Sequence, residues 1–268
     1  MILIFNDYLD FKSYKIPETI LGTATFTGET YFGHRARLYQ LDLHRNPENI
    51  AKIILSAYDN GVKGINLVND EALLEGFEIA TTQGCKMEVI ATIGKREVDY
   101  LNPDFKNAKN IDYLSEIELF SSLGAKVMLV DEFIVDGYDW ELINDILENI
   151  NKNTLSGLIT SFPFKTTNEI INSSLNKDLF DFYMVPINQL AYMMDSPSFL
   201  QKERDDLKDL LNPLGKKIIA SKILAVGIQM PSEAFKFIKS LDYIDAVTIG
   251  VASEKEVKED FELLFKIQ

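Results

Sequence analysis

Apolar residues in this chain fall into two alternating kinds of stretch. Eight short runs are continuous and bounded by small or polar residues, as in strands buried on both faces. They are Thr19–Thr23, Gly64–Val68, Glu88–Ile93, Lys126–Asp131, Gly157–Ser161, Asp181–Ile187, Lys217–Lys222 and Asp245–Gly250. Between them apolar positions recur at helical spacing. Ile50, Ile53, Ile54, Ala57 and Tyr58 mark one such face, and Leu142, Ile143, Ile146, Leu147 and Ile150 another. Asn60-Gly61, Gln83-Gly84 and Leu123-Gly124 sit where helices end, shortly before strands. Ser253 to Glu256 reads as a capping box opening the last helix. The stretch from Lys216 to Ser253 contains strand, helix and strand, a crossover that requires parallel pairing. Eight such strands alternating with helices predict a (β/α)8 TIM barrel. A doubly wound open sheet is the alternative, weakened because no Gly-x-Gly-x-x-Gly turn follows the first strand. Residues 1–15 read as a hairpin turning at Asn6-Asp7, a plug for the bottom of the barrel.

Length agrees with a single barrel domain over residues 1–268, since the fold takes about 250 residues. No apolar run nears the ~20 residues of a membrane span, and the start, Met1 to Asp7, carries no basic leader. A lone cysteine, Cys85, allows no internal disulfide and no cysteine-based metal cluster, which suits a reducing cytoplasm. The net charge of −14 argues against nucleic acid as a partner, because that affinity needs basic surface. The arginines nevertheless cluster. Three of five, Arg35, Arg37 and Arg45, share one segment with both histidines, His34 and His44, while Arg96 follows the third barrel strand. Arginine is the usual fork for carboxylate and phosphate, so this clustering suggests a local anion site. Salt bridges to neighbouring acidic helices would explain it equally well.

In barrel enzymes chemistry sits where strands end, and strand alternation assigns side chains to the inside or outside. By that count Ile219 and Ile223 lie under the helices, while Ala220 and Lys222 point inward. Val127, Leu129 and Asp131 face inward, as do Asn66, Thr92, Ser161 and Thr248. Lys222 and Asp131 then share one cavity, either as a filling ion pair or as working groups. A desolvated lysine with a lowered pKa attacks a carbonyl to form a Schiff base, with Asp131 moving protons. Lys95 and Arg96 would join Arg35 and Arg37 in holding an anionic group. His34, beside Tyr31 in a glycine-flanked loop, is placed to close on substrate, although most loop histidines are surface residues. Asn188 and Gly250 complete the expected substrate contacts, Gly250 because the next helix N-terminus suits a phosphate. The ten-residue spacing of His34 and His44 suggests no metal site.

Several segments resemble the aldo-keto reductase superfamily. Ala57-Tyr-Asp-Asn-Gly-Val-Lys-Gly-Ile-Asn-Leu67 is similar to its second strand, Val185-Pro-Ile-Asn-Gln-Leu190 to its sixth and Ser221-Lys-Ile-Leu-Ala-Val-Gly227 to its seventh. Ile249 to Asp260 is similar to the eighth strand and closing helix. The resemblance implies a barrel with an N-terminal hairpin, and NADPH-dependent carbonyl reduction through an Asp, Tyr, Lys and His tetrad. At those positions this chain carries Asn66, Glu71, Ile93 (with Lys95 displaced) and Asp131. The family's nicotinamide-holding serine corresponds to Ser161, followed here by Phe162, and its sixth-strand glutamine to Met184. Its arginine for the 2′-phosphate corresponds to Glu256.

Three functions follow as expectations. The first is an enzyme acting on a small anionic carbonyl compound or sugar phosphate, a lysine-dependent lyase or aldolase with no cofactor. The second is a divergent reductase using NADPH. The third is a barrel that binds a ligand or partner without catalysis.

Overall fold

The computed structural model describes residues 5–95, 105 and 110–266. Eight parallel strands close into a barrel with helices around it: a (β/α)8 TIM barrel preceded by an antiparallel hairpin. The hairpin pairs β1 (Tyr8–Phe11) with β2 (Tyr14–Pro17). The barrel strands are β3 (Thr19–Gly22), β4 (Gly64–Leu67), β5 (Glu88–Ile93), β6 (Val127–Val130), β7 (Leu155–Ile159), β8 (Phe182–Pro186), β9 (Lys217–Ser221) and β10 (Ala246–Gly250). Every neighbouring pair is parallel, and β10 returns to β3 to close the ring. The helices are α1 (Ala24–Thr27), α2 (His34–Asp42), α3 (Pro47–Asp59), α4 (Glu71–Thr82), α5 (Tyr113–Ser122), α6 (Glu132–Val135), α7 (Trp140–Ile150), α8 (Pro163–Asn172), α9 (Gln201–Leu211), α10 (Pro231–Lys239) and α11 (Glu254–Lys266).

Local signals explain these elements. Asn46 caps α3 by accepting from the Asn49 amide (3.3 Å), and Pro47 occupies its first turn. Ile50, Ile53, Ile54 and Ala57 are buried on one face of α3, as their spacing predicts. Gly61, Gly84 and Gly124 follow α3, α4 and α5 at φ 91°, 103° and 72°, a region where other residues are strained. Ser253 accepts from the Glu256 amide at the start of α11 (3.2 Å).

Two buried layers result. Ile20, Ile90, Val127, Leu129, Ile159, Phe182, Met184 and Ile219 fill the barrel interior, while the outer faces of the strands pack under the helices. At Gly157 a Cβ would come within 2.5 Å of both the Phe182 carbonyl and a Leu129 methyl carbon, so only glycine fits beside Phe182. Leu9, Phe11, Tyr14 and Ile16 of the hairpin pack against this inner cluster from below, with Phe11 edge-on to Phe182 (5.3 Å between ring centroids).

Two expectations need correction. The hairpin turns at Lys12-Ser13, not at Asn6-Asp7, because Phe11 pairs with Tyr14 and Lys12 takes the left-handed conformation (φ 52°). In β9 the alternation runs opposite to the count made from sequence. Ile219 lies in the interior cluster and Ala220 packs outward, while Ile223, past the strand end, packs under the helices as counted.

Candidate active site

The strand ends and the loops above them enclose a cavity of about 400 Å³, a size typical of small-molecule sites. Lys222 points into it despite the reversed parity of β9. Its backbone turns left-handed (φ 53°) just after the strand, which redirects the side chain to the mouth. A non-glycine residue held there carries backbone strain, a feature that gathers at functional sites. The Nζ of Lys222 lies 3.2 Å from Glu132 Oε2, donates to Ser161 Oγ at 3.1 Å, and stands 5.6 Å from the centroid of the Tyr31 ring. The side chains of Lys222 and Glu132 are only 11% and 9% exposed, so this ion pair is largely shielded from water.

The expected partner of Lys222 was Asp131; the ion-pair partner is Glu132. Strand β6 ends at Val130, and Asp131 caps α6 by accepting from the Phe133 amide (3.0 Å). The turn into α6 brings the next side chain, Glu132, into the mouth as well. Burial alone would raise the Glu132 carboxyl, but Lys222 and Lys95 outweigh it and hold the group below its ordinary range. Burial pushes Asp131 up to about 6; Lys95 opposes this, while Glu132 and Glu29 add to it. Lys95 forms an ion pair with Glu29 (3.4 Å). Burial disfavours its charge, yet Asp131, Glu29, Glu132 and Tyr31 together raise its pKa above the usual lysine value. The mouth therefore holds two ammonium groups, three carboxylates and the phenol of Tyr31.

Asn66 and Thr92 line the same cavity, joined by Asn66 Nδ2 donating to Thr92 Oγ1 at 3.0 Å, and Thr248 and Gly250 line it further round. Behind Ser161 lies a buried carboxyl, Asp136. It accepts from Thr160 Oγ1 (2.5 Å), Thr166 Oγ1 (2.7 Å) and the Ser161 amide (2.9 Å). Burial lifts it to about 7 against those hydrogen bonds.

The expected anion site does not assemble among the described residues. In α2 successive residues turn by about 100°, so Arg35 and Tyr39 face the cavity while His34 and Arg37 are exposed and do not line it. Arg35 reaches across Gly227 to the Val226 carbonyl (3.5 Å) and hydrogen-bonds the Tyr39 phenol. Lys95 is matched by carboxylates, and Arg96 lies outside the described residues. Asn188 is buried away from the mouth, bonded in both directions to the Tyr192 backbone at 2.8 Å. The helix N-terminus beyond Gly250 is already occupied. Glu256 accepts from the Ala252 amide (2.7 Å) and Ser253 from the Glu256 amide, which takes up donors a phosphate would need.

Glu132, Glu29 and Tyr31 were missed as site residues by strand alternation, which stops applying where a strand ends. Their signal was position: each stands within a few residues of a strand or turn at the upper rim.

Solved structures share this fold. An assigned aldo-keto reductase of Pseudomonas aeruginosa superposes with a TM-score of 0.65 at 14% identity, covering 99% of this chain and 96% of its own. The glycerol dehydrogenase AKR11B4 of Gluconobacter oxydans gives 0.60 at 12% identity, covering 99% and 91%. Gox0644, in a structure of a variant in complex with NADPH, gives 0.64 at 10% identity, covering 98% and 89%. No family model matches the sequence, and no curated protein does. The barrel is thus the one aldo-keto reductases use. NADPH itself fits these residues poorly. The outer end of the cavity presents Glu256, Glu259 and Asp260, and Arg35, the one lining cation described at that end, is engaged by Val226 and Tyr39. Among the described residues no helix is long and apolar enough to cross a membrane.

Proposed function

We propose that this chain is a carbonyl oxidoreductase in which Tyr31 replaces the missing phenol of the aldo-keto reductase tetrad from a different loop. The observation that carries this reading is the placement of Tyr31 in the cavity with Lys222 over its ring and Lys95 among its electrostatic neighbours. Ammonium groups beside a phenol favour the phenolate that proton transfer to substrate would leave behind. A carbonyl substrate seated at the mouth would receive that proton on its oxygen. Lys95, fixed by Glu29 and Asp131, would hold the phenolate; Lys222, fixed by Glu132 and Ser161, would close the other side. A reduced nicotinamide would supply the hydride when bound.

The test is Tyr31→Phe assayed with a panel of aldehydes and ketones and reduced nicotinamide cofactor. Loss of the acid should lower turnover by about 10²- to 10⁴-fold while thermal stability stays near wild type. Undiminished turnover in the variant would exclude Tyr31 as the donor.

A second reading, a Schiff-base lyase, is favoured by one observation: the left-handed turn that aims the Lys222 amine into the cavity. Glu132 at 3.2 Å is, however, a partner for its ammonium form, whereas imine formation needs the free amine. Borohydride trapping with aldehydes and keto acids, read by peptide mass, distinguishes the two. Label on Lys222 supports the lyase, and its absence alongside reduction supports the reductase.

A further inference from the structure

The outer end of the cavity carries more negative charge than its neighbours neutralise. Glu256, Glu259 and Asp260 line it from one face of α11, at helical positions i, i+3 and i+4, a spacing at which like charges destabilise a helix. Arg35, the lining cation described at that end, donates to the Val226 carbonyl and the Tyr39 phenol and forms no ion pair among the described residues. Glu256 accepts from the Ala252 amide, and Glu259 meets Lys255 at 3.7 Å in a solvent-exposed pair of small worth. Asp260 has neither. It is only 9% exposed and lines the cavity, and its carboxyl has no hydrogen-bond or ion-pair partner among the described residues. Burial, with Glu256 and Glu259 adding, raises it to about 6, so most of it is still ionised at neutral pH. A buried carboxylate without a donor costs stability, and one facing a cavity can receive its donors from a ligand.

Aromatic rings stand beside these carboxylates. Phe32 is edge-on to Tyr39 at 5.1 Å between centroids and packs against Tyr31 at 4.6 Å, and all three line the cavity. Tyr39 lies close to the acidic face: burial first, then the Glu256 carboxylate, raises its phenol, with Arg35 opposing. Ring faces attract ammonium groups, and Lys222 already places its Nζ 5.6 Å from the Tyr31 ring centroid. We infer that the outer end of this cavity binds an aliphatic ammonium ligand, a primary amine whose N–H donors meet Asp260 while Glu256 and Glu259 add attraction and Phe32 and Tyr39 cover its stem. A metal ion suits the place less, because among the described residues no three such carboxylates gather as a metal requires. A quaternary ammonium brings charge but no N–H for Asp260. The site stands apart from the chemistry at the mouth and does not depend on the reductase reading.

The test is calorimetric titration of the full chain at low salt with the aliphatic diamine putrescine, with tetramethylammonium and magnesium chlorides as controls. One equivalent of putrescine is expected to bind, at least about tenfold more tightly than either control, and to raise the melting temperature. Asp260→Asn removes a buried charge that lacks a partner, so its unliganded melting temperature should equal or exceed that of wild type. Its putrescine affinity should fall by at least about tenfold. Glu256→Gln/Glu259→Gln changes two exposed side chains and keeps the acceptor at the helix start, so it should fold and lose about threefold. Absence of binding at millimolar putrescine overturns the inference. Equal binding of either control does the same, since it marks unspecific attraction to an acidic protein. An unchanged affinity in either variant, with wild-type circular dichroism, overturns it as well. No cofactor or turnover enters the measurement, so each of these results leaves the reductase reading to Tyr31→Phe.

Discussion

The pair of Lys222 and Glu132 can be weighed by a double-mutant cycle. At 3.2 Å, and with an effective dielectric near 20, opposite charges attract by about 5 kcal/mol. Part of that is cancelled by the cost of taking both ions from water. Removing one partner leaves the other buried, which typically costs about 3–5 kcal/mol. For Lys222→Met the lower end applies, because Lys95 and Ser161 still favour the Glu132 carboxylate. A loss of about 3 kcal/mol corresponds to a melting temperature lower by about 5 °C, given the unfolding entropy of a chain this long. Glu132→Gln should cost about 2 kcal/mol, and the double variant much less than the sum, with a coupling of about 2–3 kcal/mol. The pH dependence has a defined sign. Glu132 is held below its unfolded pKa, so its stabilisation is present above that value and disappears as pH falls through the lower, folded one. The gap between wild type and Lys222→Met should therefore close in acid. Calorimetric unfolding of the four proteins provides the measurement. Additivity within about 0.5 kcal/mol would refute the reasoning, showing that the two side chains do not act as a unit.

Other outcomes follow from the interior. Gly157→Ala places a methyl against the Phe182 carbonyl, a backbone atom that cannot swing aside, and should cost about 3 kcal/mol or more in thermal unfolding; a neutral result would mean the strands can separate there. Asp136 titrates at about 7 when folded, above its unfolded value, so its contribution is fully present below about pH 4 and is lost as pH rises through 7. Asp131, at about 6, acts in the same sense. The wild-type melting temperature should fall between about pH 5 and pH 8, and Asp136→Asn should flatten that slope; an unaltered slope would exonerate Asp136. Phe11→Ala removes a ring packed on Phe182 and should lower stability by about 3 kcal/mol, measured by thermal unfolding; a loss under about 1 kcal/mol would show that the hairpin adds little.

The barrel was legible because its pattern is redundant: eight apolar runs, helical faces such as Ile50–Ile54 and glycines after helices all point one way. Alternation worked in β6, where Val127 and Leu129 lie in the interior as counted. It failed in β9 because Ile218, Ile219 and Ala220 are all apolar and buried, so neither parity is marked. Lys222 reached the cavity for a reason the count did not contain, a left-handed residue just past the strand. The site was half legible for the same cause. Asn66 and Gly250 stand on strands and Asp131 directly after one, where the register still holds. His34, Arg37 and Asn188 stand in segments whose local helices and turns, not the barrel, set their direction.

The hairpin beneath the strands makes the ring a blind well. With Phe11 and its neighbours sealing the lower end, the upper rim is the sole passage among the described residues for anything that reacts beside Lys222. Traffic must then run in single file. A molecule seated deepest has to arrive before one lying across the rim and depart after it, which would appear as ordered rather than random kinetics.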